Sequence, residues 1–274
     1  MADSVSKIEV TGELQTILAE SSKLLQTLSD VSGFAAAKGV SSIDFPKMNA
    51  RTAQVLAIGA AGTSSNANLG FDRLNLDKNL FDAFLIKNDV EKQNVVNVLE
   101  ANMKESMRAI GLSADVEAYA ALIAATEDNY VVPTTSIYED ILGLKKKFDD
   151  AKIPNDGRRY LAVNSADMLK ILKADILVRY DAKGDGSAIS TGSVGMVAGF
   201  RLVETTTISG DSVAYHSGCI NYAFQGQLEV MSVPAPLAKS VQYSVNTNFG
   251  LKAMQPVSAT ETKWACRLGA APTP

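Results

Sequence analysis

Two periods divide the hydrophobic positions of this chain. Beyond about residue 193 apolar and polar residues alternate in twos, whereas several earlier stretches repeat in threes and fours. The clearest alternation sets Val241, Tyr243, Val245, Thr247, Phe249 and Leu251 against Gln242, Ser244, Asn246, Asn248 and Gly250. Successive side chains on a strand face opposite sides, so this pattern predicts a long half-buried strand over 239–253. Phe200 with Leu202, and Ile220 with Tyr222 and Phe224, predict further strands. Thr260–Leu268 predicts a last one, carrying the only tryptophan, Trp264.

The helical period comes earlier. Leu14, Ile17, Leu18, Leu24, Leu25, Leu28 and Val31 fall on one stripe and predict a helical arm over 14–31, ended by the small residues between Gly33 and Gly39. Val95, Leu99, Met103, Met107 and Ile110 make a second stripe. Gly111 is expected to interrupt it, with Ser113 capping a further run through Val116, Tyr119 and Ile123. Ser136 and Glu139 have capping-box spacing ahead of a helix that buries Ile137, Ile141, Leu144 and Phe148. Pro154-Asn155-Asp156-Gly157 reads as a turn, Arg159–Val163 as a strand and Ala166–Lys173 as a short helix.

Residues 40–87 fit neither pattern well. Short extended candidates (Ser41–Phe45, Thr52–Ile58 and Phe81–Ile86) flank small polar residues from Gly59 to Gly70. So long and thin a segment cannot bury itself, which predicts a projecting hairpin that finds its burial on another molecule. The order of arm, hairpin, helices and then mostly strands makes the fold class α+β.

Composition narrows the function. The 274 residues are 46% apolar and 20% charged, a composition able to form a core. With 26 basic and 30 acidic residues the net charge is −4, and Lys145-Lys146-Lys147 reads as the solvated end of a helix. That excludes a protein that binds nucleic acid by neutralising many phosphates. No apolar run reaches the ~18–20 residues that cross a bilayer. Met1–Lys7 lacks the order of a secretory signal, and two cysteines, Cys219 and Cys266, cannot staple a fold, so cytoplasmic folding is expected.

Catalytic patterns are equally thin. His216 is the only histidine, and no Gly-x-Ser-x-Gly accompanies it. His216, Cys219 and Cys266 fall one ligand short of a structural zinc site. Asp181–Gly186 begins like a calcium loop, but Lys183 and Gly192 occupy positions that need oxygen ligands. Ser4 and Lys7 have serine–lysine spacing without a supporting motif, and no phosphate-binding glycine loop occurs. No catalytic residue, metal or cofactor is expected.

Two segments carry a family resemblance. Ala151-Lys152-Ile153-Pro154-Asn155-Asp156-Gly157-Arg158-Arg159-Tyr160-Leu161-Ala162-Val163-Asn164-Ser165 is similar to a proline–glycine–arginine turn followed by a strand and a short helix. Gly192-Ser193-Val194-Gly195-Met196-Val197-Ala198-Gly199-Phe200-Arg201-Leu202-Val203-Glu204 is similar to a glycine-punctuated strand pair. Together with the element order, they resemble the Johnson fold of tailed-bacteriophage major capsid proteins, first described for a Hong Kong phage. The resemblance implies an N-terminal arm (1–39), an extended E-loop (40–87) and a P-domain (88–152) with a long spine helix. An A-domain (153–225) and return strands of the P-domain (226–274) would follow.

It also implies a structural role in the virion. Pentamers and hexamers of this chain would tile an icosahedral shell around double-stranded DNA, after assembly in the host cytoplasm. Expected partners are other copies of the chain, with scaffolding, portal and decoration proteins, weak non-specific contact with packaged DNA, and no membrane. Leu14, Leu18 and Leu25 of the arm, and Leu74, Leu76, Leu80, Phe81 and Phe84 of the loop, are the expected inter-subunit contacts. Some family members join a loop lysine to an asparagine; Lys47, Lys78, Asn246 and Asn248 read here as ordinary polar positions. An encapsulin-like nanocompartment shell, enclosing an enzyme cargo, resembles the same fold and is the alternative.

Overall fold

The long alternating segment sits at the middle of a sheet. In the computed structural model, which describes residues 17, 21–35, 40–48, 55, 58, 61, 69–87, 98–126, 129–174, 195–208, 210–235, 239–254 and 264–269, it forms strand β11 (Ser240–Ala253). This strand pairs antiparallel with β10 (Ile220–Ala235) on one side and with β4 (Lys78–Lys87) on the other. The two-residue strand β1 (Ser29–Asp30) adds to β10 in parallel. The order is β1-β10-β11-β4.

One face of this sheet is covered by helix α2 (Val98–Ala125), which follows the single-turn helix α1 (Ser32–Ala35) in the chain. Met103, Met107 and Ile110 pack on Val245, while Ala114, Ala118 and Leu122 pack around Tyr222 and Phe249. The 28 residues of α2 run unbroken for ~42 Å at 1.5 Å per residue. Gly111 does not interrupt it. A mid-helix glycine costs ~1 kcal/mol, less than abandoning an apolar stripe that continues for another three turns. Ser113, instead of capping, donates its hydroxyl to the Ala109 carbonyl at 2.9 Å.

The arm also departs from expectation. Ile17 and Ser21 are helical, but the chain then leaves the helix, makes a 3-10 turn over Leu25–Thr27 and enters β1. Leu24, Leu25 and Leu28 belong to the same core cluster as Leu122 and Phe249.

A six-stranded sheet forms the second body. Its strands are β5 (Tyr130–Val131), β6 (Arg159–Val163), β7 (Met196–Val197), β8 (Phe200–Glu204), β9 (Ser212–His216) and β12 (Ala265–Leu268). Their order is β5-β12-β9-β6-β8-β7. Helices α3 (Ile137–Asp150) and α4 (Ser165–Lys173) pack on it. The predicted face of α3 is buried as expected, with Ile137, Ile141, Leu144 and Phe148 against Leu161, Val163 and Phe200. A boundary at 152 would separate α3 from this sheet; the packing joins them.

At the start of α3, Ser136 caps by backbone conformation alone, with no side-chain bond. Asp140 closes the turn instead, accepting the Thr134 amide at 2.8 Å and hydroxyl at 2.7 Å. Ala198 and Gly199, at φ +49° and +90°, form the two-residue turn between β7 and β8. Positive φ at both positions matches the twist of the flanking strands.

Arg159 organises the junction between α3 and β6. Its side chain is only 2% exposed. Nε donates to the Pro154 carbonyl at 3.1 Å, Nη1 to Asp149 at 2.8 Å and Nη2 to the Ile153 carbonyl at 2.5 Å. The guanidinium also lies 5.6 Å from the Phe148 ring centroid. A planar fork can satisfy the end of a helix and the following turn together; a lysine cannot. Arg159→Ala is expected to cost about 2–3 kcal/mol, read as a lower urea midpoint at unchanged slope.

Candidate assembly surfaces

The arm is fastened to the body by a buried carboxylate. Asp115, fully buried midway along α2, accepts the Leu25 amide at 3.0 Å and the Leu24 amide at 3.2 Å. These are the donors a helix or turn leaves open at its start, here capped from 90 residues away. Thr27 then hydrogen-bonds the hydroxyl of Tyr215, itself buried in the core. Burial pushes the Asp115 carboxyl above its ordinary value, against the lowering effect of the backbone amides and Lys23.

The sign of the pH dependence follows. In the folded chain Asp115 keeps its proton to higher pH than the unfolded chain, whose value is 3.8. Its contribution is therefore most favourable below that value and declines as pH rises through the elevated folded one. Asp115→Ala is expected to lose about 2–3 kcal/mol at neutral pH, because two buried amides lose their acceptor. It should also flatten this part of the pH–stability profile, as measured by denaturant melts across pH.

Strands β2 (Ser42–Met48) and β3 (Leu69–Asn75) form the projecting hairpin, paired from Ser42↔Asn75 to Met48↔Leu69. No further strand joins this two-stranded sheet among the described residues. Its base is fixed by packing: Ile43 and Leu74 are buried with Val31, Ala35 and Ala223. Farther out, Arg73 grips Asp44 through Nε at 2.7 Å and Nη2 at 2.9 Å, holding the Asp44 carboxyl below its usual range. That pair is exposed to solvent, so it orders the hairpin only weakly.

Gly250 of β11 lies under the hairpin's exit. A Cβ there would sit 2.1 Å from the Asn75 carbonyl oxygen and 3.0 Å from the Leu76 Cα. Both are backbone atoms, so no side-chain rotation could make room. Gly250→Ala is expected to lift the hairpin base, raising amide hydrogen exchange in β2 and β3 while leaving α3 and β6 unchanged.

The expected contact residues do not share one surface. Leu14 and Leu18 lie outside the described residues. Leu25 and Leu74, at 2% and 0% exposure, are spent inside the chain's own core and leave the surface list. Leu76, Leu80 and Phe84 are half-buried: Leu76 packs at the hairpin base, Leu80 and Phe84 under α2, and Phe84 stacks on Tyr243 at 5.6 Å. Phe81 alone of the described candidates is on the surface, at 61% exposure. Phe34, Phe71, Leu85, Met231 and Val233 are also exposed and were missed. Phe81 and Leu85 differ in parity from Leu80 and Phe84, but apolar residues occupy both faces of β4, which hides the alternation.

The residues weighed for chemistry are occupied structurally. His216 is buried, accepts the Gly218 amide through Nδ1 at 3.1 Å and so presents Nε2–H to Asp156 at 3.1 Å. Its ring meets Trp264 edge-on at 4.9 Å. Desolvation raises the Asp156 carboxyl, but the bonds from His216 and the Arg158 amide outweigh it and bring the net value down. Cys219 and Cys266 are buried thiols outside any disulfide, and burial pushes Cys266 up to about 11. Lys78 pairs with Glu117, and Asn248 bridges Asn79 and Gln225. Residues 181–192 and the Ser4–Lys7 pair lie outside the described residues, as does the side chain of Lys47.

No family model and no curated protein sequence matches this chain. Among solved structures it is similar to one from Mycobacterium phage Che8, with a TM-score of 0.73 and 17% identity over 90% of this chain and 91% of that one. It is similar to the capsid of cyanophage P-SCSP1u, with a TM-score of 0.70 and 14% identity over 90% and 87%. It also resembles a virus-like particle from Pyrococcus furiosus, with a TM-score of 0.64 and 10% identity over 95% and 97%. The likeness is one of fold: an α+β chain with the architecture of tailed-phage capsid structures.

Proposed function

We propose that this chain is the major capsid protein of a tailed bacteriophage, a structural subunit that assembles with copies of itself into the icosahedral shell of the virion. The observation that carries this reading is mutual coverage. About nine-tenths of both chains superpose in the phage comparisons, so the likeness spans most of the chain rather than one common motif.

Physical chemistry supports it. A two-stranded hairpin is marginal in water unless something packs on it, and this one carries Phe71 at 67% exposure. At ~25 cal/mol per Å2, a few hundred Å2 of apolar surface covered by a neighbour is worth several kcal/mol before association costs. On this reading the four-stranded sheet with α2 is the P-domain and the six-stranded sheet with α3 and α4 the A-domain. The E-loop is the hairpin 42–75, shorter than the 40–87 segment, because β4 belongs to the P-domain sheet. The role is architectural rather than catalytic. Packaged double-stranded DNA meets a shell of net acidic subunits, so contact with it is weak and non-specific. Scaffolding, portal and decoration proteins complete the expected partners, and assembly takes place in the host cytoplasm.

A second reading, an encapsulin-like compartment around an enzyme cargo, draws on the Pyrococcus particle, which matches over more of both chains than the Che8 structure but with a lower TM-score. Electron microscopy of the overexpressed chain tests the shared core of both: closed, hollow particles are expected, and a monodisperse monomer at high concentration would remove both. Replacing residues 46–71 by a short Gly/Ser turn, which spares the hairpin base and β4, should leave a folded subunit that no longer closes shells. Normal particles from that variant would refute the hairpin's role.

A further inference from the structure

Among the described residues, the four-stranded sheet is open along part of one side. β1 covers β10 only through Ser29↔Asn221 and Asp30↔Tyr222. Next, the Phe224 amide donates outward to the Ser32 hydroxyl at 3.0 Å, and Gln225 reaches the Val40 carbonyl at 2.7 Å. From Glu229 to Ala235 β10 stays paired with β11, and among the described residues nothing pairs with its other side. Val230, Met231 and Val233 are 37%, 50% and 55% exposed, and Ser232 and Pro234 are exposed beside them. Natural edges are usually blunted by charge. This one has no charged residue between Glu229 and Lys239.

Two observations agree on which backbone groups face outward. Within an antiparallel ladder the groups of successive residues point alternately toward and away from the partner. Phe224, opposite Phe249, points away from β11, because its amide bonds Ser32. Carrying the alternation along β11 to Val245, Tyr243 and Val241 makes their partners Val230, Ser232 and Pro234 the outward set. Pro234 independently fits, since an edge strand tolerates proline where no ladder donor is needed.

We propose that this edge pairs with the same edge of a second copy, antiparallel about a two-fold axis at Ser232. The inference rests on the shell reading and names one contact between subunits. The occupant is a second copy because the segment is self-complementary: Ser232 has an apolar residue at each of the two positions on either side. Ser232 faces the second copy's Ser232 and they exchange backbone bonds. Each Val230 amide meets the other copy's Pro234 carbonyl, and Met231 lies against Val233 on one face. Pro234 lacks the donor that would extend the ladder, so the contact stays short.

The test uses the full chain with Ser232→Cys. Opposed residues in a hydrogen-bonded antiparallel pair lie ~5.5 Å apart at Cα, within disulfide reach, and the native Cys219 and Cys266 are buried. Intact particles treated with oxidised glutathione, which accepts the two electrons and two protons of the paired thiols, should run mostly as covalent dimers on non-reducing gels. The parent chain should stay monomeric. Particles of Ser232→Cys that remain monomeric would overturn the edge pairing and leave the shell reading standing. Absence of particles from the parent chain would remove the shell reading and this inference with it. Ser232→Pro supplies an independent arm, deleting the outward donor without touching the β11 ladder. Free rings in place of closed shells are expected, and wild-type particle yield would again overturn the pairing.

Discussion

Asp115 stands among alanines, leucines and methionines on the buried face of α2, where an unpaired charge would be costly. It is tolerated because the arm brings two backbone amides to it, and those amides are tolerated in the core because Asp115 is there. Much of the chain's geometry follows from that exchange. Once the Leu24 and Leu25 amides are satisfied from outside, the chain can leave the helix and place β1 beside β10. β1 and α1 then put Val31 and Ala35 beneath the hairpin base, against Ile43 and Leu74. The hairpin returns over Gly250, the position in β11 where a backbone can pass that close. Arm, hairpin and sheet are thus positioned in series from one carboxylate.

Elements set by their own periodicity were legible in the sequence. β11, the buried face of α3 and strand β6 appear where alternation or a three–four stripe places them, because each packs a whole face on one body. What was not legible depended on partners far away in the chain. The stripe over 14–31 continues past the point where the arm stops being helical, and the signal for stopping is a carboxylate 90 residues away. Gly111 looks like a break until Ala114, Ala118 and Leu122 are seen to continue the same packing. Arg159 reads as the first residue of a strand, and its burial follows from the Ile153 and Pro154 carbonyls in the turn after α3.

Contact surfaces were the hardest to read, for a related reason. β4 is apolar on both faces, so composition marks Leu80, Phe81, Phe84 and Leu85 alike. Only the pairing with β11 sorts them, sending Leu80 and Phe84 toward α2 and leaving Phe81 and Leu85 outside. A strand that is apolar on both faces has no period for sequence to display.

On the shell reading, the two exposed features ask for different symmetries, and a closed shell needs both. A hairpin projecting from one body and landing on a different part of the next makes a heterologous contact, which can close a ring of any order but joins nothing beyond it. A self-complementary strand edge makes an isologous contact, which ends with two copies and cannot form a ring. Rings bearing outward edges of the second kind can be joined to other rings without limit on their number, while each edge is consumed once. The short ladder permitted by Pro234 suits that use. A long, continuous edge would pair in several registers, whereas five residues centred on Ser232 leave one arrangement that matches apolar positions on both sides.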